Sequence, residues 1–212
     1  MTQAELSYPK GKRVVQAFWK MILALFGWKT EGQYPAHPKS VLIFAPHTSN
    51  WDFIYMLMSL FALGIKPNWL GKKELFFWPA KYLFYGLGGY PVNRSGSLST
   101  VKATLKLFKY KDQAMLGLAP EGTRSKSEYW KTGFYHIAKK AKVPINYCYL
   151  NYQDKIGGVS EGFMPTGDIE KDMEYVSKFF TDKVKLAKFP DEVGAVKIKL
   201  NLLSLITIIC II

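Results

Sequence analysis

The chain reads as a single α/β domain, with a largely parallel (mixed) central sheet covered by helices on both faces and an amphipathic helix at its N-terminus. Three observations predict this. Apolar runs of strand length alternate with helical patterns about four times between Val41 and Leu150, the order that builds a mostly parallel sheet. The length of 212 residues suits one domain with a substantial core. A hydrophobic content of 49% and a charged content of 21% are those of a globular chain.

Taken in order, Lys10 to Trp28 has a basic entry (Lys10, Lys12, Arg13) and a wide apolar side that includes Trp19. Such a helix can lie in the plane of a membrane interface or pack on the domain, and the sequence leaves both open. Residues 27–39, with Gly32, Pro35 and Pro38, read as a loop. Val41 to Ala45 is a buried strand ended by Pro46, and Trp51 to Leu63 is an apolar helix. Lys66 to Gly71 is a second strand. The aromatic run Phe76 to Tyr85 is assigned mostly to the core, with lipid contact as the alternative. Tyr90 to Asn93 is the third strand, Val101 to Tyr110 a helix, and Ala114 to Ala119 the fourth strand. A helix from Lys131 to Lys142 precedes the fifth strand, Pro144 to Leu150. Gly157, Gly158 and Gly162 mark a hairpin or irregular crossing, and a last helix capped by Asp168 runs to Leu186. Leu200 to Ile212 is too short to span a bilayer and too apolar for water, so an added strand and an inserted tail are both open. The expected organisation is an N-terminal helix and loop (1–38), a main domain (39–190) and an apolar tail (191–212).

Net charge is +13, which calls for a polyanionic partner. Only Arg13, Arg94 and Arg124 among 29 basic residues are arginine, and proteins that read bases lean on arginine. Nucleic acid is therefore set aside in favour of an anionic membrane surface or phosphorylated substrates. Cys148 and Cys210 have no metal or redox spacing, so a reducing compartment and no metal are expected. The start of the chain lacks the pattern of a signal peptide. Cytoplasmic-side membrane association, peripheral or monotopic, is the expectation.

Ligands of parallel α/β sheets collect at the carboxyl ends of the strands. His47, Lys72, Arg94 and the turn Glu121-Gly122-Thr123-Arg124 all follow strand ends, so four segments converge on one rim. His47 and Asp52 cannot meet along one helix, since five positions are about 500°. They can meet if His47 lies in the turn and Asp52 in the first helical turn, where a carboxylate is favoured and Ser49 or Asn50 can cap. Asp52 would then hold one imidazole nitrogen and leave the other as a base. Taken alone, each residue is also common at such a junction. His37 and His136 read as a loop histidine and a structural one.

His47-X4-Asp52, Gly88 to Arg94, Pro120-Glu121-Gly122-Thr123-Arg124 and Val143-Pro144-Ile145 resemble, in order and spacing, the four motifs of the glycerolipid acyltransferases, nearest to the bacterial 1-acyl-sn-glycerol-3-phosphate acyltransferases. The resemblance spans Val41 to Tyr152. It implies a glycerolphosphate-acyltransferase-like fold and transfer of an acyl group from acyl-CoA or acyl carrier protein, as co-substrate, to a lysophospholipid hydroxyl. His47 would be the base and Asp52 its orienting partner, with no bound cofactor. Arg94 and Arg124 would grip the acceptor phosphate by paired hydrogen bonds. Lys72 or Lys73 would add a point charge. Gly122 and Thr123 would complete an anion-binding turn, with Glu121 bracing it. Pro46, Pro91 and Asn146-Tyr147 depart from the family pattern, which leaves acceptor identity open. Another lipid or amine acceptor, thioester hydrolysis, and lipid binding without catalysis are the competing readings.

Overall fold

The computed structural model describes residues 10–33, 35–92 and 97–198. In chain order the elements are α1 (Lys10–Leu25), β1 (Lys29–Gly32), β2 (Lys39–Phe44), α2 (Asn50–Ala62), β3 (Pro67–Lys72), α3 (Ala80–Gly86), β4 (Gly89–Val92), α4 (Ser97–Tyr110), β5 (Ala114–Leu118), α5 (Gly133–Ala141), β6 (Ile145–Asn151), β7 (Ile156–Phe163) and α6 (Ile169–Thr181). The strands form one seven-stranded sheet in the order β1-β7-β6-β2-β5-β3-β4. Strands β6, β2, β5, β3 and β4 run parallel to one another. β7 turns back antiparallel to β6, and β1 lies parallel to β7 at the edge.

β2 is the centre, flanked by β6 and β5, and its side chains alternate between two cores. Val41, Ile43 and Ala45 face a cluster made with Phe108 of α4, Phe134 and Ile137 of α5, and Val176 and Phe180 of α6. Leu42 faces the opposite cluster, with Leu23 of α1, Met56 and Leu60 of α2, and Cys148 and Leu150 of β6. Each such side chain contributes roughly 1.5–3 kcal/mol by leaving water, so both faces hold the strand that delivers His47. α2 lies close on the sheet because Gly157 presents no Cβ toward Ser59.

Several elements differ from the sequence reading. β1 falls inside the stretch read as a loop. It is four residues long, mostly exposed and polar (Lys-Thr-Glu-Gly), so it carries no apolar signal; it is held by backbone pairing to β7 and by Glu31, which accepts from the Tyr149 hydroxyl. α1 ends at Leu25 and α6 at Thr181, each short of its predicted end. After α6 the chain breaks into a 3₁₀ turn, Val184–Leu186, whose Leu186 carbonyl accepts the Tyr152 amide at 2.9 Å. α4 begins at Ser97, ahead of its predicted start at Val101.

The aromatic run is the largest correction. Phe77, Trp78, Tyr82, Leu83 and Tyr85 are exposed, Trp78 to 74%. α3 has only seven residues beside the edge strand β4. From this run, Phe76 and Phe84 reach the small core around Trp69, Leu57 and Phe61, which Trp19 of α1 joins from the other side. α1 buries Leu23 yet exposes Val14, Val15, Phe18, Met21 and Leu25. No helix among the described residues is long and apolar enough to cross a membrane. The apolar stretch from Leu200 onward lies outside the described residues.

Candidate active site

The turn between β2 and α2 is built by hydrogen bonds that the sequence supplies locally. Ser49 caps α2, its Oγ accepting from the Trp51 amide at 3.2 Å. Asp52 reaches back, and its Oδ2 accepts from the amides of Thr48 at 2.6 Å and Ser49 at 2.7 Å. This reciprocal cap satisfies amides that a helix start leaves without partners, and it buries the carboxylate to 1% exposure. His47 stands beside it, Nδ1 3.4 Å from Oδ2. That is ion-pair distance, although Nδ1 makes no aligned hydrogen bond; Oδ2 also takes two amides.

The second carboxylate oxygen has a partner that the sequence reading did not name. Tyr152, the residue after β6, donates its hydroxyl to Asp52 Oδ1 at 2.6 Å. β6 is parallel to β2, so Tyr152 arrives at the same carboxyl-end rim. A strand-end search extended to phenols would have found it. Burial pushes the Asp52 carboxyl up, but attraction from His47, Tyr152 and the two amides outweighs it and holds the group below its ordinary 3.8. Burial also pushes the Tyr152 phenol up, as does its bond to Asp52, so it remains a donor.

Glu121 enters from the turn after β5, the other neighbour of β2. Its Oε1 accepts the His47 backbone amide at 3.1 Å, bracing the turn that carries His47, while the buried Oε2 has no partner. Burial pushes the Glu121 carboxyl up to about 8, with the Asp52 charge adding to this. Burial thus favours the neutral form of this carboxyl.

The same turn carries Gly122, Thr123 and Arg124. Gly122 adopts φ +68°, a backbone conformation that favours glycine. Thr123 Oγ1 accepts from the Ser125 amide at 3.3 Å. Arg124 Nη1 donates to Asn50 Oδ1, placing the guanidinium across the start of α2. A groove of about 770 Å³ opens there, lined by Thr48, Asn50, Arg124, Lys188, Phe189 and Asp191. Residues 188–192 were not singled out in the sequence. They are held by the Phe189 amide, which donates to Thr48 Oγ1 at 3.3 Å.

Lys72 ends β3 and Lys73 opens the 3₁₀ turn behind it, both exposed. They stand on the same rim, two strands from β2, and contact neither His47 nor Asp52. Arg94 lies outside the described residues, although β4 ends at Val92 on that rim. Among the described residues no cluster of three or more His, Cys, Asp or Glu could hold a metal. Cys148 is wholly buried, and its thiol is pushed up to about 12 by that burial, so it offers no thiolate. His136 is partly buried in α5, and burial holds its imidazole below its ordinary value.

Fold and site together define the class, and a family model for acyltransferases matches residues 28–150: the chain belongs to the acyltransferase family. Among solved structures, it is similar to the 1-acyl-sn-glycerophosphate (LPA) acyltransferase PlsC from Thermotoga maritima, with a TM-score of 0.59 and 19% identity over 84% of this chain and 81% of that one. No curated protein matches the chain.

Proposed function

We propose that the protein moves a fatty acyl group from acyl-CoA or acyl carrier protein to the free hydroxyl of a lysophospholipid, with lysophosphatidic acid, which would become phosphatidic acid, as the leading acceptor. The observation that carries this is the His47–Asp52 pair at 3.4 Å on the carboxyl-end rim, beside a groove that holds Arg124. Asp52 faces Nδ1, which leaves Nε2 as the free nitrogen. Nε2 takes the acceptor's hydroxyl proton while that oxygen attacks the thioester carbonyl. A carbon–oxygen bond forms, the carbon–sulfur bond breaks, and the proton returns to the departing thiolate. Drawing the imidazole from 3.4 Å to a charge-assisted bond of about 2.8 Å favours the imidazolium as it forms. General-base help of this kind is worth about 10²–10⁴-fold, and positioning adds to it.

Arg124 offers a planar pair of donors to a phosphate, with Lys72 and Lys73 as further cations of the rim; the resemblance adds Arg94 to the phosphate grip. Glu121 holds the turn through the His47 amide. The exposed apolar side chains of α1 and of residues 75–85 meet through the Trp19–Phe61–Phe76 cluster. With +13 net charge, they form a surface suited to an anionic bilayer, where such acceptors reside. The test is product analysis by mass spectrometry with lysophosphatidic acid and its phosphate-free monoacylglycerol counterpart. Phosphatidic acid formation that fails in His47→Ala supports the reading. Equal use of both acceptors overturns the phosphate role of Arg124.

A further inference from the structure

We propose that Tyr152 is a positioning residue for the His47–Asp52 pair, fixing the carboxylate from the side opposite the imidazole; this rests on the acyl-transfer reading above. Asp52 can turn about its last side-chain bond, and the use of its two oxygens decides whether it can serve His47. Oδ2 faces Nδ1 and the amides of Thr48 and Ser49. Oδ1 accepts from Tyr152 at 2.6 Å, the one donor to that oxygen among the described residues.

The phenol is itself held. Its ring packs edge-on against Trp28 at 5.0 Å and Tyr55 at 6.3 Å. Its backbone amide is tied to Leu186, beyond α6. A hydroxyl on a ring fixed from three elements leaves the carboxylate one orientation, with Oδ2 toward the imidazole. Losing the phenol frees the carboxylate to turn out of this orientation, so that neither of its equivalent oxygens is held toward Nδ1. The titratable groups facing Asp52 are His47 from its own turn, Tyr152 from the loop after β6 and Glu121 from the turn after β5.

Tyr152→Phe keeps the ring and removes the bond. The expected result is a fall in kcat of about tenfold, with KM for acceptor and donor within about twofold. The acid limb of the pH–kcat profile, which reports protonation of the base, should move to lower pH, because a carboxylate no longer held toward the imidazole stabilises its protonated form less. Nitrogen NMR of the His47 imidazole, which needs no turnover, should show a changed Nδ1 signal. Tyr55→Phe, altered in the same aromatic cluster but not bonded to the pair, should keep the wild-type profile. Wild-type kcat, acid limb and Nδ1 signal in Tyr152→Phe would overturn the proposal. So would a loss of kcat accompanied by a lowered Tm and an unmoved acid limb, which marks a packing role. His47→Ala in parallel separates the two readings: if it is inactive while Tyr152→Phe is normal, only the positioning role fails.

Discussion

Asp52 and Asp172 are built alike and sit at opposite rims of the sheet. Each is 1% exposed, near the start of a helix. Each accepts a tyrosine hydroxyl, Asp52 from Tyr152 at 2.6 Å and Asp172 from Tyr135 at 2.7 Å. Each also binds the loop before its helix, Asp172 through the Thr166 amide at 2.8 Å and the Thr166 hydroxyl at 2.9 Å. Only Asp52 has an imidazole at ion-pair distance among the described residues. β7 runs antiparallel to β6, so its end at Phe163 pairs with Ile145, where β6 begins. α6 therefore starts at the amino-end rim, away from the turns that carry His47, Glu121 and Arg124. A buried, fully bonded carboxylate is thus a structural device in this fold. Position on the rim and a neighbouring histidine set Asp52 apart, and on the proposed mechanism they give it a part in the chemistry.

The comparison is broken most sharply at the imidazole. His47→Ala should lower kcat by about 10²–10⁴-fold with an unchanged Tm. A Tm loss matching the loss of activity would make His47 a packing residue. Asp172→Ala should do the reverse, destabilising by about 1–3 kcal/mol for each donor left without an acceptor, while activity per folded molecule is retained. Chemical denaturation beside specific activity checks this. Arg124→Ala should raise KM for a phosphate-bearing acceptor by about tenfold, the loss of a charge-assisted contact, with kcat little changed in steady-state kinetics.

Glu121 adds a pH dependence whose sign follows from its burial. Its carboxyl rises from an ordinary 4.5 to about 8 on folding, so between those values the folded state binds the extra proton. Stability conferred by that proton is complete below 4.5 and falls as pH rises through about 8. Asp52, held below its ordinary 3.8, acts oppositely and loses its contribution as pH falls below that value. Glu121→Gln should flatten the decline between pH 5 and pH 8, read from denaturation midpoints.

Much of this was legible in the residues. Val41 to Ala45, Pro46 and the helix after it placed His47 and Asp52 in one turn, because an apolar run, a breaker and a cap are local signals. The Glu121 to Arg124 turn was legible through its glycine. β1 was not, since a short polar edge strand is specified by its partner. The aromatic run from Phe76 to Tyr85 misled, because hydrophobicity reports affinity for an apolar environment and does not say whether that is a core or a surface. Tyr152 and the segment after Lys188 join the site through contacts about 100 residues or more from Asp52 and Thr48, which no local pattern encodes.

The most direct test of the central claim is thiol release from palmitoyl-CoA, with and without lysophosphatidic acid, for the wild type, His47→Ala and Asp172→Asn. The account predicts acceptor-dependent release by the wild type and by folded Asp172→Asn, and none by His47→Ala. Release that survives in His47→Ala, or that Asp172→Asn abolishes without unfolding, would contradict it.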